Sequence, residues 1–106
     1  MDWPALVIAD HTGTITHWSP GAELAFGHRA EHVVGKTLDV IVPEQHRAAH
    51  WVGFRRALTS GKAAVEGQVG PFPVVHLDGK AREVPGRLTL LRRANGEVFG
   101  AMVVFG

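Results

Sequence analysis

The chain has 106 residues, 45% of them hydrophobic and 20% charged, which predicts one globular domain with a single core and excludes a disordered chain. Its formal net charge of +1 is too small to attract nucleic acid or an anionic membrane over a distance. The lack of cysteine excludes disulfides and thiolate chemistry and favours a cytoplasmic protein, and no apolar run approaches the ~20 residues of a membrane helix.

The first predicted element is a β-hairpin. The apolar run 5–10 and the β-branched run 15–18 have the composition of strands. Gly13 lies between them and is the expected turn residue.

Two short helical segments are expected next. Ser19 and Pro20 form an N-cap and a first helical residue, and Gly27 is the expected end of this helix. Leu38 and Ile41, three residues apart, predict one further helical turn.

The longest predicted helix runs from Pro43 to about Ser60. Pro43 suits the first turn of a helix, Glu44 favours its positive dipole end, and Gly61 ends it. Large side chains recur four residues apart, which predicts a buried stripe. That stripe consists of His46, His50, Phe54 and Leu58, or of Arg47, His50, Trp51 and Phe54.

Three strand-like segments complete the chain, at 63–70, 81–93 and 97–106. The pairs Asp78-Gly79 and Asn95-Gly96 are typical of hairpin turns between strands. The predicted order is therefore two strands, three helical segments and three strands.

Short motifs also occur in a fixed order along the whole chain. They are Asp-x-x-Gly-x-Ile at 10–15, Trp-Ser-Pro-Gly-Ala at 18–22, Gly35-Lys36, Val42-Pro43-Glu44, Asp78-Gly79 and Gly100. In this order they resemble the PAS family of sensor domains. The resemblance implies one α+β domain over residues 1–106, with a five-stranded antiparallel sheet in the order 2-1-5-4-3 and helices between strands 2 and 3.

The same resemblance implies a cytoplasmic signal-transduction module, with no enzyme activity of its own. An Asp10, His11 and Ser19 triad has no Gly-x-Ser-x-Gly turn to support it. The flavin photosensor branch of the family needs a reactive cysteine, which this chain lacks. We expect a small-molecule or diatomic-gas ligand, a homodimer, and a linked effector domain outside this chain, as in two-component systems.

The start of the long helix resembles that of heme-binding PAS oxygen-sensor kinases. In those proteins a Pro-Glu-x-x-Arg-x-x-His pattern supplies the iron ligand, and the run 43–50 has this spacing. The resemblance implies heme b bound by His50, with Arg56 at the position that meets a heme propionate. It also places Gly70 where those kinases have a distal arginine, so the distal hydrogen-bond donor is left open.

The residues expected to line the heme pocket are mostly apolar. They are Leu38, Ile41, Trp51, Phe54, Leu88, Leu90 and Met102, with Val104 as a further candidate.

Several alternatives to heme stay open. His46 is a second candidate for the iron ligand, and both histidines are also explained by simple packing of the helix. A cofactor-free module that dimerises or binds another protein has the same fold. A third function is binding of a small metabolite by Arg47 or His50.

Overall fold

The computed structural model describes residues 3–106, which form an α+β domain. Its strands are β1 (Ala5–Asp10), β2 (Ile15–Trp18), β3 (Val69–Val75), β4 (Ala81–Arg92) and β5 (Val98–Phe105). Its helices are α1 (Pro20–Phe26), α2 (Ala30–Val33) and α3 (Arg47–Ser60), with two 3-10 turns at Leu38–Val40 and Glu44–His46. No helix in the described chain has the length and hydrophobicity needed to cross a bilayer.

The strands form one antiparallel sheet in the order β2-β1-β5-β4-β3, so the predicted fold class and strand order are confirmed. Val7, Val103 and Leu88 lie side by side in β1, β5 and β4. Because side chains alternate along a strand, these residues mark the inner face, on which the helices pack. Gly79 and Gly96 have positive φ in the two predicted turns that join the last three strands.

The main core lies between the inner face and α1. Its buried members are Ala5, Val7, Ile15, Trp18, Ala22, Phe26, Val33, Ile41, Val74 and Phe105. α1 begins as predicted because the Ser19 hydroxyl accepts a hydrogen bond from Ala22 N at 3.1 Å, and it ends at Gly27 in the left-handed conformation. The helix thus places Phe26, which is 2% exposed, deep in the core.

A smaller group of buried residues, the α3 cluster, lies under the C-terminal half of α3. It consists of Ala57, Leu90 and Val98, with Leu58, Ala63, Leu88 and Ala101 packed against them. Within the described chain, Ala57 is the one fully buried residue of α3. The N-terminal half of α3 is therefore less deeply anchored than the C-terminal half.

The long helix differs from its prediction at its N-terminal end. The sequence predicts a helix from Pro43, whereas α3 begins at Arg47 after a 3-10 turn. His46 N donates to Pro43 O at 2.9 Å, and this i+3 bond tightens the turn in the absence of a side-chain cap. From Arg47 the helix continues through Gly53 without a break. The half-buried members of the predicted stripe are Arg47, His50, Trp51, Phe54 and Leu58, and its exposed member is His46.

The strand predicted over 63–70 is wrong, because β3 lies further along the chain and includes Pro71 and Pro73. β3 is an edge strand, and Val75 N donates away from β4, to Ile41 O at 2.8 Å. Alternate residues point the same way, so both proline nitrogens also face away from β4 and no hydrogen bond of the ladder is lost. Sequence analysis also missed α2, whose four residues are too few to show a period.

Candidate functional site

His50 lies in the N-terminal half of α3 and is half-buried beside two aromatic rings. Its ring centroid is 4.9 Å from that of Trp51 and 6.0 Å from that of Phe54. Its Nδ1 is buried and has no hydrogen-bond partner in the described chain. Buried polar atoms are nearly always paired, and an unpaired one costs about 1–3 kcal/mol. His50 therefore holds a polar atom that the fold itself does not use.

The surroundings of His50 favour its neutral form. Burial lowers the pKa of His50 below its usual value, and the negative charge of Asp39 opposes this shift only in part. A neutral imidazole has one nitrogen with a free lone pair, which is the form that binds a metal. His50 is therefore neutral at pH 7 and keeps one nitrogen lone pair of the kind that can bind a metal.

Trp51 connects α3 to two other segments. Its indole N–H donates to Asp39 Oδ1 at 2.7 Å, in the first 3-10 turn. Its ring lies against Gly13, in the β1–β2 turn, and leaves no room there for a Cβ atom. Gly13 is thus required by this contact as well as by its φ of +80°.

The inner face of the sheet beneath α3 is apolar. Leu88 and Leu90 lie two residues apart on β4, so both side chains point to the inner face, where they belong to the α3 cluster. Leu38 and Ile41 instead belong to, or pack against, the main core. The residues predicted to line one pocket are therefore divided between two groups.

Met102 was predicted to line the same pocket, and the structure corrects this placement. Its register partners are Ile8 and Thr89, on the outer face of the sheet, whereas Val103 occupies the inner face. Val104 also lies outside the inner face, since it follows Val103 in the strand, and it is 37% exposed. Sequence analysis could not choose between these faces, because the AMVVF run is apolar at every position and a shift of one residue exchanges the two faces.

The other polar residues of the long helix differ from His50 in their surroundings. Arg56 is exposed and lies about 120° around the helix axis from His50. Arg47 is half-buried, and its Nε donates to Val42 O at 3.1 Å. His46 is exposed. Of the two histidines in this segment, His50 is the one that combines burial with an unpartnered nitrogen.

No group of three or more His, Cys, Asp or Glu side chains that could hold a metal occurs within residues 3–106. Two open surface depressions lie away from His50. One follows β3 and β4 near Gly70 and Glu83, and the other lies between α1 and Asp78. His50 is therefore one possible metal ligand without neighbouring ligand side chains in the described chain, and it lies on a helix that packs against β5.

Sequence analysis missed Asp39 and Gly13 as parts of this site. Asp39 lies in a predicted helical turn, and a hairpin turn accounts for Gly13 without any further role. Both acquire their relation to Trp51 through tertiary packing, so no local spacing indicates it.

Residues 1–105 match the protein-family model described as PAS fold. An uncharacterized protein of Azorhizobium caulinodans is 31% identical over 102 residues, which cover 93% of this chain and 14% of that protein. The oxygen sensor protein DosP of Escherichia coli is 30% identical over 73 residues, which cover 69% of this chain and 9% of that protein. This chain therefore spans a small part of the length of these curated relatives.

Solved structures agree with the family match. The PAS domain of a protein from Colwellia psychrerythraea has a TM-score of 0.79 at 18% identity, covering 97% of this chain and 84% of that chain. The RpfR quorum-sensing receptor PAS domain of Cronobacter turicensis, in complex with BDSF, has a TM-score of 0.72 at 16% identity and covers 95% of this chain and 90% of that chain. At these identities the likeness shows the fold alone.

Proposed function

This chain belongs to the PAS family, whose members are generally sensor domains, and we propose that it binds heme b between α3 and the sheet with His50 as the iron ligand. The signal it senses is a diatomic gas or the redox state of the iron. Because this chain is similar to a small part of longer relatives, the effector that receives the signal belongs to another part of the protein.

The unpartnered Nδ1 of His50 carries this proposal. A histidine that only packs in a core normally gives its ring nitrogens hydrogen-bond partners. His50 instead keeps a neutral ring beside Trp51 and Phe54, and these surroundings suit a histidine that would hold heme iron.

Other residues of the chain support the site without contacting the iron. Leu88 and Leu90 provide an apolar surface that keeps water away. Arg56 is exposed near the C-terminal half of α3, where its long side chain is available to pair with a propionate. A bound heme iron supplies a coordination position for a diatomic gas.

Two open depressions of the described chain lie away from His50, so heme bound at His50 would widen the space between α3 and the inner face of the sheet. Ala57 anchors the C-terminal half in the α3 cluster, whereas Trp51 and Phe54 are only half-buried. The C-terminal half of α3 is therefore its fixed end.

Two similar proteins are consistent with this function. DosP, a relative by sequence, is an oxygen sensor protein. The RpfR domain, a neighbour by fold, was solved in complex with BDSF, so the same architecture accommodates a ligand in that protein. Neither likeness assigns a ligand to this chain, and the proposal rests on His50.

Hemin titration of the purified protein tests the proposal, with His50→Ala and His46→Ala as matched variants. His46 lies one turn earlier and is exposed, so its substitution controls for nonspecific binding by a histidine. We expect a Soret band that saturates at one hemin per chain for the native protein and for His46→Ala. His50→Ala should lose the saturable band and retain the fold.

Equal hemin binding by all three proteins, or no binding by any, overturns the proposal. A colourless protein that dissociates from a dimer on dilution is instead a cofactor-free interaction module. A colourless protein whose melting temperature rises with a small carboxylate is a metabolite sensor that uses Arg47 or His50.

A further inference from the structure

We propose that Trp51 and Asp39 are positioning residues for His50, which fix the rotation of α3 and thereby the direction in which the imidazole points. The inference rests on the proposed function, since it assigns a role to these residues in binding at His50. It concerns a contact between α3, the first 3-10 turn and the β1–β2 turn, which we call the Trp51 clamp and define as Trp51, Asp39 and Gly13.

The Trp51 side chain is held on two sides. Its Nε1 donates to Asp39 Oδ1 at 2.7 Å, and its ring fills the space where Gly13 lacks a side chain. Successive residues of an α-helix leave its axis about 100° apart. Holding Trp51 in place therefore also sets the direction of His50, the residue before it.

The N-terminal half of α3 has few other attachments. Among residues 3–106, no side chain caps the helix at His46, and the buried residue of α3, Ala57, lies near the other end. Among side chains in the described range 47–54, Arg47 makes the other hydrogen bond, from its Nε to Val42 O at 3.1 Å. The Trp51 clamp is thus the attachment next to His50.

The acceptor in this clamp is a carboxylate, and hydrogen bonds to charged acceptors are stronger than those between neutral groups. Asp39 is half-buried, which protects the bond from competing water. An asparagine at this position still offers an oxygen to the indole N–H, whereas an alanine offers none. This difference provides a conservative variant that should restore the clamp.

The test compares Trp51→Phe, Asp39→Ala, their double variant and Asp39→Asn with the native protein. Hydrogen exchange is first measured without hemin, for the amides of residues 51–54 and 58–60. Opening of the clamp should accelerate exchange at 51–54 and leave 58–60 unchanged, because the second group adjoins Ala57 in the α3 cluster. The double variant should exchange no faster than either single variant, and Asp39→Asn should resemble the native protein.

Hemin affinity is then measured at a temperature where every variant is folded. Groups that orient a metal-binding histidine typically change metal affinity by 10- to 100-fold when they are removed. We expect weakening of about this size for Trp51→Phe and Asp39→Ala, with a broadened Soret band from a less uniform ligand geometry. A purely structural role lowers the melting temperature and leaves the hemin affinity of the folded protein unchanged, and that result overturns the inference.

The two parts of the experiment separate this inference from the proposed function. If the native protein binds no hemin, the proposed function fails, and exchange alone decides whether the Trp51 clamp orders residues 51–54. Unchanged exchange in Trp51→Phe and Asp39→Ala overturns the clamp whether or not hemin binds. Additive effects in the double variant also overturn it, because they mean that the two residues act separately.

Discussion

α1 and α3 pack on the same sheet, but their ends and their buried faces are built differently. α1 has seven residues, a serine cap, a proline in its first turn and a glycine stop, and it buries Phe26 at 2% exposure. α3 has 14 residues, no side-chain cap, and Ala57 as its one fully buried residue in the described chain. The shorter helix is therefore the better anchored of the two.

This difference separates the scaffold from the site. α1 has hydrogen bonds for backbone groups at both of its ends and contributes to the main core, as a stable element should. α3 leaves the Nδ1 of His50 without a partner among the described residues and keeps two aromatic rings half-buried. Functional sites are where proteins accept such local losses of stability, and ligand-binding elements come from the less stable parts of a fold.

The largest expected contrast is between one phenylalanine in each helix. Phe26→Ala should lower the free energy of unfolding by about 3–5 kcal/mol, because it empties a buried site surrounded by Trp18 and Phe105. Phe54→Ala should cost about 1 kcal/mol, since Phe54 is half-exposed. Urea unfolding of both variants measures this difference, and equal losses would show that α3 is as well anchored as α1.

The caps of the two helices should give the next largest difference. The Ser19 hydroxyl accepts from Leu6 N at 2.8 Å and from Ala22 N, and it donates to Pro4 O at 2.9 Å. Ser19→Ala should therefore lower the unfolding free energy by about 1–3 kcal/mol, because it removes the helix cap and leaves the buried Ala22 N without this acceptor.

His46→Ala is the matched control, because His46 stands at the corresponding position of α3 and makes no capping bond. Its effect on unfolding free energy should be close to zero. A loss as large as that of Ser19→Ala would mean that α3 depends on its first turn after all.

The smallest expected effect is a pH dependence of the unfolding free energy, and it arises at the fixed end of α3. Glu66 accepts from Leu90 N at 2.8 Å and pairs with Arg92, whose guanidinium also donates to Gly61 O at the end of α3. The hydrogen bond from Arg92, helped by that from Leu90, lowers the pKa of Glu66 from 4.5 to about 2. Folding therefore favours the ionised form of this carboxyl group.

The direction in which stability changes with pH follows from this lowered pKa. The contribution of Glu66 to stability is complete above pH 4.5 and is lost as the pH falls toward about 2, because the unfolded chain takes up the proton first. Unfolding free energies of the native protein and of Glu66→Gln should converge over this range. A constant difference between them would assign the stabilisation to packing instead of charge.

The sequence predicted the scaffold because its signals are local. Ser19-Pro20 and Gly27 mark the ends of α1, and Asp78-Gly79 and Asn95-Gly96 mark two turns, each within a few neighbouring residues. β3 was not predicted because prolines normally argue against a strand. They are acceptable at the edge of a sheet, but the sequence does not show which strand is the edge.

The site was only partly predictable for the same reason. The spacing that singles out His50 is local, whereas the contact of Trp51 with Asp39 and Gly13 arises from the fold. Met102 was assigned to the wrong face because an apolar run carries no sign of its register. The sequence pattern therefore lacked two kinds of information: which distant residues come into contact, and which face of the sheet each residue of an apolar strand occupies.

The central claim is that His50 serves a ligand and not the stability of the fold, and His50→Leu tests it most directly. Unfolding free energy and hemin affinity should be measured on the same preparation, beside the native protein. Removing an unpartnered buried nitrogen should stabilise the ligand-free protein by about 1 kcal/mol, and the loss of the iron ligand should abolish saturable hemin binding. A destabilised variant, or one that still binds hemin as the native protein does, would contradict the account.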